Sequence, residues 1–132
     1  PSPLQNLHQK FSVASLLIEE KQYGEALIAS LDLKESLLAN HSLWNESEIN
    51  RDYGTQLFLF NLLRIATLYR EIGKVSNEIA AIDELKRYLG YELDGRSTPL
   101  EPKAIASFEH HFADGHVTLR DFISFRESVL KH

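Results

Sequence analysis

The sequence predicts an all-α protein: six helices in three antiparallel αα-hairpins, forming one domain over residues 1–132. Three observations carry this. Apolar residues recur at three- and four-residue spacing through most of the chain, which is one face of a 3.6-residue period. Ser, Thr and Asn caps, several followed by Pro or by an acid or Gln at the third position, punctuate it at intervals. No segment of any length alternates with period two, as a half-buried strand would.

The elements follow in order. Ser2-Pro3-Leu4-Gln5 offers a serine cap, a proline at the first helical position and Gln three residues after the cap, so a first helix is predicted over about 3–20. Leu4, Leu7, Phe11, Ala14, Leu17 and Ile18 form its apolar face. After a break at Lys21-Gln22-Tyr23, a second helix over 23–39 turns Tyr23, Ala26, Leu27, Leu31, Leu37 and Leu38 inward. Asn40–Asn45 reads as a polar loop, with Asn45 and Glu48 capping a long third helix over 46–72. Its centre, Leu57–Ala66, is apolar almost all round, the mark of a helix surrounded by others. Gly73 ends it, Ser76 caps a fourth helix reaching residue 90, and Ile79, Ile82, Leu85 and Leu89 form that helix's inner face. Residues 90–98 are the most breaker-rich stretch and form a joint. Thr98-Pro99-Leu100-Glu101 repeats the capping signal before a fifth helix with Ala104, Ile105, Phe108 and Phe112. Asp114-Gly115 turns the chain, and in the last helix Thr118 caps, Asp121 follows at the third position and Val117 faces Phe122 as a staple. The short connections pair the helices as hairpins over 3–39, 46–90 and 99–131.

Composition narrows the function classes. The 132 residues are 43% hydrophobic and 25% charged, and a chain of this size removes roughly two thirds of its unfolded surface from water. There is no cysteine, so disulfides, thiolate nucleophiles and thiolate metal sites are excluded. Fourteen Lys and Arg against nineteen Asp and Glu, a net charge of −5, with the basic residues scattered, argue against nucleic acid as a partner. No apolar run approaches the ~20 residues that cross a bilayer, and no basic n-region precedes an apolar h-region; the expectation is no membrane and a cytoplasmic or nuclear site. The chain begins Pro1-Ser2-Pro3 and contains no Met, which reads as a fragment of a longer chain.

Within Phe11–Leu38, the pattern Ala14-x2-Leu17-x5-Tyr23-x2-Ala26 resembles the tetratricopeptide repeat: a small residue, a large one a turn later, an aromatic at the turn and alanine early in the second helix. Ala66-x2-Tyr69-x3-Gly73 followed by Ile79-Ala80-Ala81 is similar. It departs at Glu78, where strict register places the alanine, so about two residues are inserted in the turn, and the helices exceed the family's ~34-residue unit. The third hairpin carries no repeat motif and would act as a capping pair. The resemblance spans about 80 residues and implies a protein-binding scaffold.

Candidate sites stand beside plainer readings. Tyr53, Gln56, Phe60, Arg64, Thr67, Glu71 and Lys74 share one side of the third helix, with Leu57 and Asn61 at its edge. In a repeat protein such a helix lines the concave surface, and Arg and Asn beside exposed aromatics suit a peptide bearing carboxylates. Alternatively the stripe is the solvated side of a core helix, with Arg64 paired to a neighbouring acid. Leu43-Trp44, Tyr91 and Leu93 would form an apolar interface patch, or else fold back as lids over helix ends. Glu109–His116 gathers three of the six histidines, but adjacent His110 and His111 point about 100° apart on a helix and the spacing fits no zinc pattern. An EF-hand would place His110 and Phe112 where carboxylates must sit. No metal and no cofactor are expected.

Arg126-x5-His132 resembles the Arg/His element of HEPN-like helical ribonucleases, yet the two side chains would lie about 120° apart around a helix. No G-x-S-x-G, H-E-x-x-H or phosphate-cradling glycine loop occurs, and no enzyme activity is expected. The reading is therefore a non-enzymatic interaction module whose helical-hairpin surface binds another protein, a peptide or a copy of itself, through Tyr53, Gln56, Phe60, Asn61, Arg64, Thr67 and Glu71. The alternative is a regulatory or sensory domain taking a short peptide or small ligand in an interhelical pocket lined by Phe58, Phe60, Arg64 and Tyr69; a ribonuclease ranks third.

Overall fold

The computed structural model describes residues 3–91, 98–112 and 117–131. These form α1 (Pro3–Glu19), α2 (Tyr23–Ala39), α3 (His41–Trp44), α4 (Glu48–Glu71), α5 (Val75–Leu89), α6 (Pro102–Phe112) and α7 (Leu119–Leu130). No strand occurs among the described residues, as the absence of period-two patterning predicts.

The helix count among the described residues is seven, not six, because the expected polar loop contains α3. Trp44 draws it in: the indole is 1% exposed, its Nε1 donates to the Leu37 carbonyl at 2.8 Å, and its ring lies 5.8 Å from Phe58. Burying so large a ring while satisfying its one donor outweighs the weak helix propensity of the segment. With Asn45 ending α3, Ser47 rather than Asn45 caps α4, accepting from the Asn50 amide at 3.1 Å.

Other boundaries move for similarly local reasons. Lys21 takes a left-handed φ of 61° and closes α1 through bonds from Lys21 N to Ile18 O and Gln22 N to Leu17 O. Gly73, at φ 77°, turns the chain beyond α4 as expected, but α5 starts at Val75 without a side-chain cap from Ser76. Thr98 caps no helix: its Oγ1 donates to the Tyr88 carbonyl and accepts from the Leu100 amide, tying the segment to the end of α5. Pro102 then takes the first position of α6, where a missing N–H costs nothing. Thr118 does cap α7, accepting from the Asp121 amide at 3.0 Å. Val117 is half exposed, and Phe122 packs on Phe112, ring centres 5.7 Å apart.

α4 is the core of the molecule, in keeping with its nearly all-round apolar centre. Leu57, Phe58, Leu59, Leu62, Ile65 and Leu68 are all at most 5% exposed, and α4 contacts α1, α2, α3, α5 and α6. α1 with α2 and α4 with α5 are closely packed neighbours. The last two helices do not pack mainly on each other: α6 lies along α4 and α7 along α5. The apolar face of α6 (Ala104, Ile105, Phe108) is buried, with Phe108 edge-on to Phe60 at 4.8 Å and Glu101 ion-paired to Arg51. α7 meets α5 through two ion pairs, Arg126 to Glu78 and Glu127 to Lys86 at 3.0 Å, beside its buried Leu119 and Ile123. The Lys86 and Lys131 ammonium groups hold the Glu127 carboxyl below its ordinary range against the opposing effect of burial.

Candidate functional site

Successive turns of α4 place Phe60, Arg64, Thr67 and Glu71 on one side of the helix. Opposite them α1 presents Phe11 and Ile18, and the tight α1–α2 turn brings Tyr23 alongside. Between these rows lies a cleft of about 360 Å³, with Leu63 and Leu68 completing its wall. The wall is apolar except for Arg64, Thr67, Glu71 and the Tyr23 hydroxyl.

Arg64 is held rather than loose. Its guanidinium carbon lies over the Phe11 ring, 3.6 Å from the centroid, Nη1 donates to the Phe11 carbonyl at 2.8 Å and Nη2 to Ser15 Oγ at 2.6 Å. Ser15 Oγ in turn donates to the Phe11 carbonyl at 3.1 Å. Two of the five guanidinium donors are thus used in orienting the group. Burial pushes the Arg64 guanidinium down to about 10, which leaves it cationic at neutral pH. The acid that the alternative, solvated-side reading pairs with it is not seen: among the described residues no carboxylate lies within 4.0 Å of Arg64.

The remaining residues of the stripe separate by depth. Tyr53 is 38% exposed, beside His8 at 5.8 Å between ring centres, away from the cleft, and burial raises its phenol. Asn61 is fully buried and clamps α4 to α2 by donating to the Ser30 carbonyl at 2.9 Å. The Gln56 amide nitrogen and oxygen are both buried with no partner among the described residues. An unsatisfied buried amide is destabilising by about 1–3 kcal/mol, so Gln56→Leu is expected to raise stability by roughly 1 kcal/mol in urea unfolding; an unchanged or lower midpoint would show that the amide is satisfied. Lys74 is exposed in the turn before α5.

The pocket expected from Phe58, Phe60, Arg64 and Tyr69 is only half realised. Phe58 is fully buried, edge-on to Tyr88 at 4.8 Å, and Tyr69 faces a separate crevice of about 140 Å³ against α5. The residues missed lie on α1: Phe11 and Ile18 read as core positions, and Ser15, a polar residue beside that apolar row, was the available signal.

Other candidates resolve differently. Trp44 is a lid, not a patch. Tyr91 is half-buried beneath the Arg120 guanidinium at 3.8 Å, and burial with the Glu109 carboxylate pushes its phenol up; Leu93 lies outside the described residues. Arg126 is occupied by Glu78, whose side chain it grips through Nε at 2.6 Å and Nη2 at 2.9 Å, which raises the guanidinium; His132 lies outside the described residues, as do Asp114 and His116. His110 and His111 are exposed. Among the described residues no group of three His, Asp or Glu side chains is placed to hold a metal, and no helix is long and apolar enough to cross a membrane. Compared with known proteins, the chain matches no protein-family model, no curated protein and no solved structure.

Proposed function

We propose that the protein is a non-enzymatic interaction module that binds a partner protein by taking a short peptide segment of it into the α1–α4 cleft. The observation that carries this reading is the cleft itself: about 360 Å³ walled by Phe11, Ile18, Phe60 and Leu63, with few polar groups. Concave apolar walls with a small number of placed polar groups are how proteins bind peptides and small molecules. On this reading Phe60, Arg64, Thr67 and Glu71 contact the partner, while Gln56 and Asn61 support the helix that presents them.

On this reading α1/α2 and α4/α5 are a pair of tetratricopeptide-like hairpins, closed by α6 and α7. Ala14 and Ala26 are both fully buried, which suits the small residues of that pattern, where helices approach closely. At the corresponding place in the second pair, Glu78 is matched to Arg126 instead. The cleft volume also suits a small ligand, since such pockets start near about 300 Å³, and this is the second reading.

Thr67 offers a test. It is exposed, lines the cleft and bonds only to the Leu63 carbonyl of its own helix, so Thr67→Trp is expected to fill the cleft while leaving the helical circular dichroism unchanged. Peptides selected from a random displayed library are expected to bind the native chain and to lose at least about tenfold in affinity against Thr67→Trp, as the loss of one anchoring side-chain pocket implies. Selected peptides that bind both proteins equally would place the interaction elsewhere and end this reading.

A further inference from the structure

Charge pairing across the molecule singles out one group. Five cations among the described residues are partly buried: Lys34, Arg51, Arg64, Lys86 and Arg126. Four of them have a carboxylate within reach, from Glu84, Glu101, Glu127 and Glu78 respectively. Arg64 has none among the described residues, although it borders the apolar cleft, where a cation is harder to leave unmatched than at an open surface.

Its surroundings also explain why it stays put. The cation–π contact with Phe11 and the two bonds to the Phe11 carbonyl and Ser15 Oγ hold the guanidinium in place, and three of its N–H donors remain. A planar, oriented guanidinium with free donors matches the two oxygens of a carboxylate, and such charge-assisted pairs are the strong ones when water is excluded.

We propose that Arg64 is a carboxylate seat: the partner segment bound in the α1–α4 cleft carries an Asp or Glu side chain that pairs with the Arg64 guanidinium, flanked by apolar side chains that lie against Phe11, Ile18, Phe60 and Leu63. This rests on the peptide reading of the cleft and adds the chemistry of the peptide to it. A peptide is favoured over a free carboxylic acid because the cleft continues along α4 from Arg64 past Thr67 to Glu71. That is roughly 10 Å at about 1.5 Å per helical residue, or about three extended peptide residues.

The probes are capped peptides, acetylated and amidated so that their only carboxylate is a side chain, taken from sequences selected against the native chain. Each acidic position is compared with its amide, Glu with Gln and Asp with Asn. The expected result is about tenfold or more tighter binding of the acidic peptide, falling to near parity in Arg64→Met, with the Arg64 Nε–Hε resonance of the native chain shifting for the Glu peptide and not for the Gln peptide. The resonance keeps the test decisive if Arg64→Met fails to fold. Equal binding of acid and amide, both blocked by Thr67→Trp, would overturn the carboxylate seat while leaving the peptide cleft standing. Binding insensitive to Thr67→Trp would overturn the cleft reading itself. Octanoate binding at the Arg64 resonance more tightly than any Glu peptide would overturn the peptide as occupant.

Discussion

Arg126→Leu is expected to destabilise the fold by about 3–5 kcal/mol, a large fraction of the stability of a domain this size. The reason is the partner left behind. Glu78 is 3% exposed and both of its carboxylate oxygens are held by the Arg126 fork; without it, α5 carries a buried charge with no compensation. Glu78→Leu leaves the opposite charge unmatched, but Arg126 retains 20% side-chain exposure and can reach water, so its cost should be smaller. The double variant Glu78→Leu with Arg126→Leu removes both charges and is expected to recover most of the loss, since well-packed apolar replacements of buried pairs are often neutral or stabilising. Urea unfolding of the four proteins forms a double-mutant cycle. A loss below about 1 kcal/mol in Arg126→Leu would mean that the pair behaves as a surface ion pair and that α7 is held to α5 by other contacts.

Gly54→Ala should lower stability by about 2 kcal/mol, against what helix propensity alone predicts. Glycine inside a helix is less favourable than alanine by about 1 kcal/mol, so at an open position the substitution would stabilise. Here an added Cβ would stand 2.5 Å from Trp44 Cε3 and 2.7 Å from Cδ2, and closer still to Trp44 Cβ. The indole cannot give way easily, being anchored to the Leu37 carbonyl and in contact with His41, which meets it edge-on, and with the tilted ring of Phe58. In a Trp44→Leu background the clash is relieved, and Gly54→Ala is expected to become neutral or stabilising. A higher thermal midpoint for Gly54→Ala in the native background would contradict this close approach of α3 to α4.

Much of the architecture was legible in the sequence because helices are local objects. The spacing of Leu4, Leu7, Phe11 and Ala14, the near-continuous apolar centre of α4 and the Thr118 cap each state their structure within a few residues, and α2 falls over the expected 23–39. What failed were features decided by distant contacts. Asn40–Asn45 looks like a polar loop until Phe58 and the Leu37 carbonyl supply a place for Trp44. Thr98 reads as a helix cap until the Tyr88 carbonyl takes its hydroxyl.

The candidate site divides the same way. Phe60, Arg64, Thr67 and Glu71 could be grouped from their period alone, but periodicity gives a side of a helix and not what stands opposite. Asn61 and Gln56 share that arc and are turned to the interior by the packing of α4, whereas α1 supplies half of the cleft from residues that look like core.

The sequence by itself determined that the chain is helical, where most helices run and which one lies at the centre, because backbone hydrogen bonding and apolar period are set by neighbours in the chain. Tertiary structure alone decided that α6 and α7 dock on different helices, that Glu78 is buried against Arg126 and that Arg64 borders a cleft with no carboxylate within ion-pair distance among the described residues. Those outcomes depend on which charges and surfaces meet across long stretches of chain, and no local spacing encodes such meetings.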